Sequence, residues 1–232
     1  MKSKILTDFV SNMTHEFKTP ISSIMLASQM LQDKTFTKTP EFLTQISCVI
    51  EKEAQRLNSQ LERIILMLEN EKSLFNLTEI NINELIATSV ANFSPKVKNT
   101  GGEIITEFKA ENAWTTIDEL HFTNVLHNLM DNALKYRKEK EPLQLNIKTW
   151  NEKKYLCISI EDNGIGIEKE NLKKIFDRFY RVSTHTKGFG LGLPYVYKII
   201  RGHKGKITVE SELNKGTKLI IKVNRLKSNL NK

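Results

Sequence analysis

The first part of the chain has the hydrophobic pattern of two long helices. Residues 1–72 contain no glycine, and their apolar residues recur mostly at three- and four-residue steps, which is the spacing of one helix face. The pattern is interrupted at 33–40, where Thr39 and Pro40 have the order of an N-cap and a first helical residue. The sequence therefore predicts an α-helical hairpin. A single hairpin buries little apolar surface, so we expect two copies to form a homodimeric four-helix bundle.

The rest of the chain alternates between short strands and helices. Helical periodicity fills about 83–97, 119–137 and 192–201; the second of these helices has Asp118 as its N-cap, and the third has Pro194 in its first turn. Short runs between them alternate apolar and polar residues, as half-buried strands do. The mixture predicts an α+β sandwich, in which helices cover one face of a mixed sheet. The predicted strands are 103–108, 143–147, 155–160, 206–210 and 218–223.

These patterns divide the chain into two predicted domains. The helical hairpin occupies 1–72, a linker follows at 73–82, and the second domain occupies 83–224, with a polar tail at 225–232. No run approaches the roughly 18 apolar residues that cross a bilayer, and no signal-peptide core follows the first residues. We therefore expect this chain to be soluble.

The charge balance favours an anionic partner. The chain has 35 Lys plus Arg against 27 Asp plus Glu, a formal net charge of +8. The basic residues are scattered, and the sequence has no RNA-recognition or zinc-finger signature, so charge alone does not distinguish a nucleotide, a nucleic acid, a membrane surface or an acidic protein. The 2 cysteines are too few for a disulfide framework or a cysteine-rich zinc site.

Two glycine clusters mark a candidate phosphate-binding site in the second domain. Residues 162–166 (Asp-Asn-Gly-Ile-Gly) directly follow a predicted strand, and residues 188–192 (Gly-Phe-Gly-Leu-Gly) directly precede a predicted helix. Glycines at alternate positions let the backbone approach a ligand closely, and a helix start offers free N–H groups to phosphate oxygens. Neither cluster has the spacing of a Walker A loop or a Rossmann turn, and each alone also fits an ordinary turn.

The predicted helix 119–137 carries polar side chains on one face. Asn128 and Asn132 are four residues apart, and Lys135 and Tyr136 follow at steps of three and four. Carboxamide oxygens can hold Mg²⁺, a lysine can reach a phosphate, and a tyrosine can stack on a base. Taken alone, the same pattern also fits a solvated helix face.

Taken together, these segments resemble the ATP-binding domain of sensor histidine kinases. Residues 128–136 (Asn-Leu-Met-Asp-Asn-Ala-Leu-Lys-Tyr), 162–166, 176–181 (Phe-Asp-Arg-Phe-Tyr-Arg) and 188–192 stand in the order of that family's N, G1, F and G2 boxes. The resemblance implies the ATP-binding GHKL (Bergerat) fold, which gyrase B, MutL and the heat-shock chaperones share. Phe189 departs from the family, which more often has a small hydroxyl residue there.

The resemblance also implies a role for each matching residue. Asp162 would accept a hydrogen bond from the amino group of adenine, and Asn128 and Asn132 would bind Mg²⁺. The implied cofactors are therefore ATP and Mg²⁺. The other implied nucleotide-binding residues are Lys135 and Arg181 on the phosphates, Tyr136 beside the adenine, Gly164 and Gly166 in the G1 loop, and Gly188, Gly190 and Gly192 around the phosphates.

The first domain carries a second motif of the same family. Residues 15–20 (His-Glu-Phe-Lys-Thr-Pro) resemble the phosphoacceptor box, and Thr19 excludes a His-Glu-x-x-His zinc site. His15 lies two residues, or about 200° of helix, from both Met13 and Phe17, so we expect it to face solvent. Its reference pKa of about 6.5 leaves a neutral ring nitrogen for attack on the γ-phosphoryl group of ATP.

The implied function is that of a protein-histidine kinase. ATP would phosphorylate His15, and the group would pass to an aspartate of a separate response regulator's receiver domain. By the same resemblance, Glu16 would accept a hydrogen bond from the other ring nitrogen, and Thr19 would orient water for phosphatase action on that regulator. The lack of sensor and membrane segments leads us to expect the cytoplasmic part of an inner-membrane sensor, anchored only through a part preceding residue 1. No nucleic acid partner is expected.

Two other functions fit the same residues. A superfamily ATPase or nucleotide-driven clamp would keep the ATP site, use water as the acceptor and give His15 no role. A non-enzymatic scaffold would bind nucleotide or nucleic acid through its basic surface. Replacing His15 with glutamine separates the kinase from the clamp, while DNA binding with a steep salt dependence and without phosphate transfer would indicate the scaffold.

Overall fold

The computed structural model describes residues 2–68, 75–180 and 190–226. These residues fall into two compact units: one contains the two N-terminal helices, and the other contains the strands and the remaining helices. Within the described ranges, no helix is both long enough and apolar enough to span a bilayer.

The first unit is a helical hairpin, as the hydrophobic periodicity predicted. Helix α1 spans Lys2–Gln32 and helix α2 spans Pro40–Leu68. The hydroxyl of Thr39 caps α2 by accepting a hydrogen bond from the backbone N–H three residues further on, at 3.2 Å. In the connecting loop, Oδ1 of Asp33 accepts bonds from the backbone N–H and the hydroxyl of Thr35, at 2.8 and 2.7 Å. Local side-chain bonds therefore close the turn between the helices.

The second unit combines a mixed sheet with helices, as an α+β domain does. Its strands and helices are β1 (Thr78–Asn81), α3 (Ile82–Lys98), β2 (Glu103–Phe108), β3 (Trp114–Ile117), α4 (Glu119–Lys135), β4 (Gln144–Glu152), β5 (Tyr155–Asp162), α5 (Gly192–Gly202), β6 (Lys206–Glu212) and β7 (Gly216–Asn224). The five-stranded sheet has the order β2-β4-β5-β7-β6, in which β2 and β4 are parallel and the other neighbours are antiparallel. Strands β1 and β3 form a separate antiparallel pair.

The helices cover one face of the five-stranded sheet. Leu145, Ile147 and Thr149 alternate along β4 on that face, and the Thr149 hydroxyl donates a hydrogen bond to Oδ1 of Asn83 in α3, at 2.8 Å. Their cross-strand neighbours Ile158 and Ile160 in β5 are also buried, so apolar rows run across the sheet beneath the helices. The helices contribute buried residues that include Ile82, Ile86, Phe122, Leu126, Leu129, Met130, Val196, Ile199 and Ile200.

Two short segments of the second unit are more ordered than their sequences indicated. The described part of the expected linker contains β1, which pairs with β3 along its whole length. The expected tail begins with two hydrogen-bonded residues: the N–H of Arg225 donates to the carbonyl of Lys154 at 3.0 Å, and the N–H of Leu226 donates to that of Trp114 at 2.8 Å. Both segments are held by pairing with distant parts of the chain, which local patterns do not reveal.

Candidate active site

Helix α4 presents the two candidate magnesium ligands. The helix begins after Asp118, whose carboxylate accepts a hydrogen bond from the backbone N–H of His121 at 3.0 Å. Asn128 is 5% exposed, and its Nδ2 donates to the carbonyl oxygen of Asn124 at 2.7 Å. Because this bond engages the amide nitrogen, Oδ1 is the end of the side chain that can receive a ligand. Asn132 follows one turn later and is half-buried.

The start of α5 lies against the same two asparagines. A β-carbon built on Gly192 would lie 3.3 Å from Oδ1 of Asn128 and 3.9 Å from both amide atoms of Asn132. Folding thus places the last glycine of one predicted motif beside the two asparagines of another. Carboxamide oxygens can bind a cation, and a helix N-terminus can bind a phosphate. The region between α4 and the start of α5 therefore fits a metal-bound polyphosphate.

Asp162 ends β5 on the helix-covered face of the sheet, opposite Leu145. Its Oδ1 accepts hydrogen bonds from the backbone N–H groups of Gly164, at 2.8 Å, and Thr217, at 3.3 Å. Burial raises the pKa of this carboxyl above its ordinary value, and the two N–H donors act in the opposite direction. Among the residues that the structure describes, none donates a hydrogen bond to Oδ2, so this oxygen can accept one from a ligand.

The glycine loop after β5 is packed against the end of α4. A β-carbon on Gly164 would lie 2.5 Å from the carbonyl oxygen of Tyr136, and the N–H of Ile165 donates to that same oxygen at 3.0 Å. Gly166 has a φ of 69°, and a β-carbon there would clash with the carbonyl oxygen of Glu212. The loop therefore needs both glycines, and it fixes the end of α4 next to the candidate adenine-binding aspartate.

Helix α4 ends at Lys135, two residues before the predicted end at 137. Tyr136 has left the helical conformation (φ −101°, ψ 20°), although its N–H still donates to the carbonyl of Asn132. The guanidinium of Arg137 donates to the carbonyl of Leu134 at 2.8 Å and so occupies an acceptor that a continuing helix would have used. The exposed Lys135 ammonium lies 5.0 Å from the ring centroid of Tyr136, a cation–π distance.

Three residues of the β6–β7 hairpin belong to this site, and the sequence analysis missed them. Gly216 has a φ of 113° and lies so close to the carbonyl of Asp162 that a β-carbon would clash with it. Thr217 supplies the second N–H to the Asp162 carboxylate. The Ser211 hydroxyl, on β6, bonds to Gly216 and Thr217 of β7 and to the N–H of Ile167. A Gly-Thr pair after a turn was visible in the sequence, but nothing there placed it beside residue 162.

The segment before α5 is described only in part. Arg181, Gly188 and Phe189 lie outside the described residues, so their expected roles stay predictions. Gly190 has a φ of 68°, a left-handed conformation that glycine adopts without strain. The ring of Phe176, the first residue of the predicted F box, packs on the ring of Tyr197 in α5 with centroids 5.4 Å apart.

Helix α1 contains the predicted phosphoacceptor motif. His15 and Glu16 lie within this helix, but their side chains are outside the described part of the structure, and so is the expected exposure of His15. Thr19 is exposed one turn later, and its carbonyl accepts a hydrogen bond from the Ser23 hydroxyl at 3.2 Å. Pro20 is buried inside the helix, where it removes one backbone hydrogen bond.

Comparison with known proteins identifies both units. The model of the His Kinase A (phospho-acceptor) domain matches residues 5–71, and that of the histidine kinase-, DNA gyrase B- and HSP90-like ATPase matches residues 117–227. Sensor protein RprX of Bacteroides fragilis (strain YCH46) is 51% identical over 232 residues, which are 97% of this chain and 45% of that protein. The chain spans less than half the length of the curated relatives at the head of this comparison.

Solved structures agree with these matches. The catalytic domain of histidine kinase ThkA, in a nucleotide-free form, matches with a TM-score of 0.56 at 30% identity, over 65% of this chain and 97% of that one. Histidine kinase ThkA in complex with response regulator protein TrrA matches with a TM-score of 0.64 at 25% identity, over 97% of this chain and 63% of that one. The class of protein is thus a phosphoacceptor helical region followed by an ATPase-type catalytic domain. The chain belongs to the sensor histidine kinase family, and the fold predicted from the sequence is confirmed.

Proposed function

We propose that this chain transfers the γ-phosphoryl group of ATP to His15 and then passes it to an aspartate of a separate response regulator. The observation that carries the proposal is the meeting of Asn128, Asn132 and Gly192, with Asp162 at the end of β5. Membership of the histidine kinase family supports it, because the phosphoacceptor model matches the segment that contains His15.

Asp162 is proposed to select adenine. Its Oδ1 is already engaged by two backbone N–H groups, so Oδ2 is the oxygen that would accept from the exocyclic amino group. An oxo group at the same position of the base is an acceptor, as the carboxylate is, so the two groups could not form a hydrogen bond with each other. Tyr136 would flank the base, since its carbonyl contacts the loop that follows Asp162.

The residues of α4 fit a magnesium–triphosphate complex. Mg²⁺ takes oxygen ligands and is commonly shared between protein groups and substrate phosphates. Asn128 and Asn132 would hold it, since the bond from Nδ2 of Asn128 to Asn124 turns Oδ1 toward Gly192. The bound ion would offset the negative charge of the phosphates. Lys135 would move from the Tyr136 ring to a phosphate oxygen.

His15 is proposed as the nucleophile. A neutral ring nitrogen forms the bond to the γ-phosphorus while the bond to the β–γ bridging oxygen breaks, and ADP leaves with that electron pair. Glu16 would accept a hydrogen bond from the other ring N–H as the imidazole becomes cationic. A charge-assisted bond of about 1.5–3 kcal/mol corresponds to roughly a 10- to 150-fold faster transfer. Arg181 would add positive charge at the phosphates.

The proposed acceptor is the receiver domain of a response regulator. The matching structure of ThkA contains response regulator protein TrrA, which supports a partner of this kind. Thr19, one turn after His15 and exposed, is proposed to orient water for dephosphorylation of that partner. The proposals that the chain works as a homodimer, and on the cytoplasmic side of a membrane-anchored sensor, rest on the family resemblance.

Incubation with γ-labelled ATP and Mg²⁺ tests the proposed reaction. The unmodified protein should acquire acid-labile, alkali-stable phosphate, and His15→Gln should acquire none while binding ATP with unchanged affinity. Asn132→Asp should lose labelling through the nucleotide site, and Ser22→Ala, an exposed position in α1, serves as the control that keeps it. Label on the His15→Gln protein would show a different acceptor residue and contradict the role of His15. ATP turnover in a preparation that is never labelled would favour the ATPase or clamp instead.

The phosphatase role of Thr19 needs a separate assay. Thr19→Ala should be labelled by ATP at the normal rate and should pass the group to a receiver domain. The same variant should fail to remove phosphate from a phosphorylated receiver domain. Equal loss of labelling and dephosphorylation would contradict the assignment, because it would show a general defect of α1.

A further inference from the structure

Three polar residues form a row across the end of the five-stranded sheet. Asp162 in β5 is the register partner of Thr217 in β7, and Thr217 is the register partner of Ser211 in β6. Residues directly opposite one another in antiparallel strands put their side chains on the same face, with Cβ atoms about 4.5–5.5 Å apart. Because Asp162 also lies opposite Leu145, the row is on the helix-covered face that the proposed nucleotide site uses.

The contacts of Ser211 determine which way the Thr217 hydroxyl points. Oγ of Ser211 lies 2.7 Å from the carbonyl oxygen of Gly216, 2.8 Å from the backbone nitrogen of Ile167 and 2.9 Å from Oγ1 of Thr217. A carbonyl can only accept and a backbone N–H can only donate. The single hydroxyl hydrogen of Ser211 therefore donates to the carbonyl of Gly216. The Ser211 oxygen accepts hydrogen bonds from the N–H of Ile167 and from the Thr217 hydroxyl.

This arrangement keeps the hydrogen of Thr217 away from its other neighbour, Asp162. Without Ser211, the Thr217 hydroxyl would lose this partner, and the side chain could turn about its Cα–Cβ bond toward the carboxylate of its register partner on the neighbouring strand. Oδ2 of Asp162 would then be engaged inside the protein. A ligand amino group would then share Oδ2 with the hydroxyl, and its own hydrogen bond to the carboxylate would be weaker.

We propose that Ser211 is a positioning residue for base recognition: it engages the Thr217 hydroxyl so that Oδ2 of Asp162 stays open for the amino group of adenine. The inference rests on the proposed binding of ATP at Asp162. Ser211 also joins the loop after β5 to the β6–β7 hairpin, because its hydroxyl hydrogen-bonds to Ile167 of that loop and to Gly216 of the hairpin. It acts through Thr217 and touches no reacting atom.

The test compares ATP with ITP, which carries an oxo group where ATP has the amino group. Titration calorimetry with Mg²⁺ should show that Ser211→Ala weakens ATP about tenfold and changes ITP less than twofold. Ser211→Thr, which retains a hydroxyl, should restore the preference. Thr208→Ala removes a hydroxyl from an exposed position of the same strand and should leave both affinities unchanged.

Two readouts separate positioning from a general structural defect. A new donor to the Asp162 carboxylate lowers its pKa, so the loss of ATP affinity on acidification should occur at lower pH in Ser211→Ala than in the unmodified protein. In a Thr217→Val background, which has no hydroxyl to release, Ser211→Ala should leave the ATP-to-ITP ratio unchanged. The proposal would be overturned if Ser211→Ala lowered the affinities for ATP and ITP equally. It would also be overturned if Ser211→Ala reduced the preference for ATP just as much in the Thr217→Val background.

The outcomes also separate this inference from the proposed function. If the unmodified protein binds ATP and ITP equally or binds neither, the adenine site itself is wrong. If it prefers ATP and Ser211→Ala keeps the full preference, the adenine site stands and the role of Ser211 is refuted. Should Ser211→Ala fail to fold, Ser211→Cys, which keeps the side-chain size and weakens the bonds, must show the reduced preference; an unchanged preference overturns the proposal.

Discussion

The two units of this chain bury their apolar residues to very different extents. In the second unit the helices and the sheet enclose a continuous core, and residues such as Phe122, Ile158 and Val196 are fully buried. In the hairpin, Ala27 and Ile46 are the buried hydrophobic residues among the described side chains. Several large apolar residues there are 42–59% exposed: Val10, Ile21, Met25, Leu26, Leu43, Val49 and Leu61.

We therefore expect the second unit to fold alone, whereas the hairpin should need a second surface to cover its apolar residues. A chain that leaves a stripe of apolar side chains in water gains free energy when a second surface covers the stripe. The observation supports the proposed four-helix bundle of two copies. Nucleotide binding should then depend on the second unit alone, and assembly on the hairpin alone.

The largest expected effect is that of Asp162→Asn on nucleotide affinity. The amide can keep Oδ1 for the two backbone N–H groups but puts an NH₂ group where Oδ2 was, so ATP affinity should fall at least about a hundredfold. Titration calorimetry measures this. The hairpin is untouched, so the oligomeric state should not change.

The same variant should be at least as stable as the unmodified protein at neutral pH. Burial raises the pKa of Asp162, so the folded state holds its ionised form at a free-energy cost once the pH exceeds the ordinary pKa. Asparagine removes that cost. A clear fall in the melting temperature of the second unit would contradict this explanation, since the loss of ATP affinity would then reflect unfolding.

A smaller effect is expected when a charge is placed on the apolar stripe of the hairpin. Leu43→Asp loses apolar burial in both copies of the proposed dimer, which should weaken self-association about ten- to fiftyfold. Analytical ultracentrifugation measures it. Gln55→Asp adds the same charge to an exposed position of α2 about 120° around the helix from both Leu43 and Val49, and it should leave association unchanged.

Equal effects of the two substitutions would contradict the proposed interface. A loss of ATP affinity in Leu43→Asp would also contradict the account, because nucleotide binding is expected to depend on the second unit alone. A protein that is monomeric before any substitution would remove the explanation for the exposed stripe.

The stability of the second unit should fall on mild acidification because of His203. Its Nδ1–H donates to the carbonyl of Ile199 at 2.8 Å and its Nε2 accepts from the N–H of Asp118 at 2.9 Å, so the buried ring is neutral. Burial lowers its pKa from 6.5. The unfolded chain binds a proton as the pH falls through 6.5 while the folded state resists it, so stability should fall between pH 7.5 and 5.5.

Thermal unfolding as a function of pH checks this prediction. His203→Gln retains an acceptor but no titrating ring, so it should lose most of this pH dependence. The variant should also be less stable at pH 7.5, because the ring packs on Phe75 with centroids 4.5 Å apart. If the stability of His203→Gln falls on acidification as it does in the unmodified protein, then other groups cause that fall and the prediction is wrong.

The smallest expected effect is that of an exposed ion-pair cluster on β2. Lys109 and Lys148, at 2.7 and 2.6 Å, lower the pKa of Glu107 to about 2. The stabilisation is present above the ordinary pKa of 4.5 and is lost as the pH falls toward about 2. Since the pairs are exposed, Glu107→Gln should lower the melting temperature by no more than about 2 °C, and less in 1 M salt. Glu103→Gln in the same strand is the control; equal shifts for both would rule out a specific pair.

Much of the fold could be predicted because helical and strand periodicities are local. The break at 33–40, the helix that follows Asp118 and the helix predicted at 192–201 were visible as patterns, as a capping residue or as a proline in the first turn. Strands β1 and β3 were missed because each has only four residues, too few for an alternating pattern to stand out. The parallel pairing of β2 with β4 joins segments on either side of β3 and α4, so the sheet order was not a property of any local window.

The site was predictable to the extent that its residues cluster in sequence. Asn128 and Asn132 share a helix face, and Asp162 precedes two glycines in a loop, so residue type and spacing pointed to them. Ser211 and Thr217 were missed because their contribution arises from cross-strand register with Asp162. The family and the fold are confirmed, while the role of each site residue stays a prediction.

The central claim is that a nucleotide bound by the second unit phosphorylates one histidine of the hairpin. The most direct measurement is to incubate the folded protein with magnesium and γ-labelled ATP, digest it under alkaline conditions and map the labelled peptide by mass spectrometry. The account predicts a phosphohistidine at His15 and no other labelled residue. A folded preparation that is saturated with ATP but carries no label on His15, or carries it elsewhere, would contradict the account.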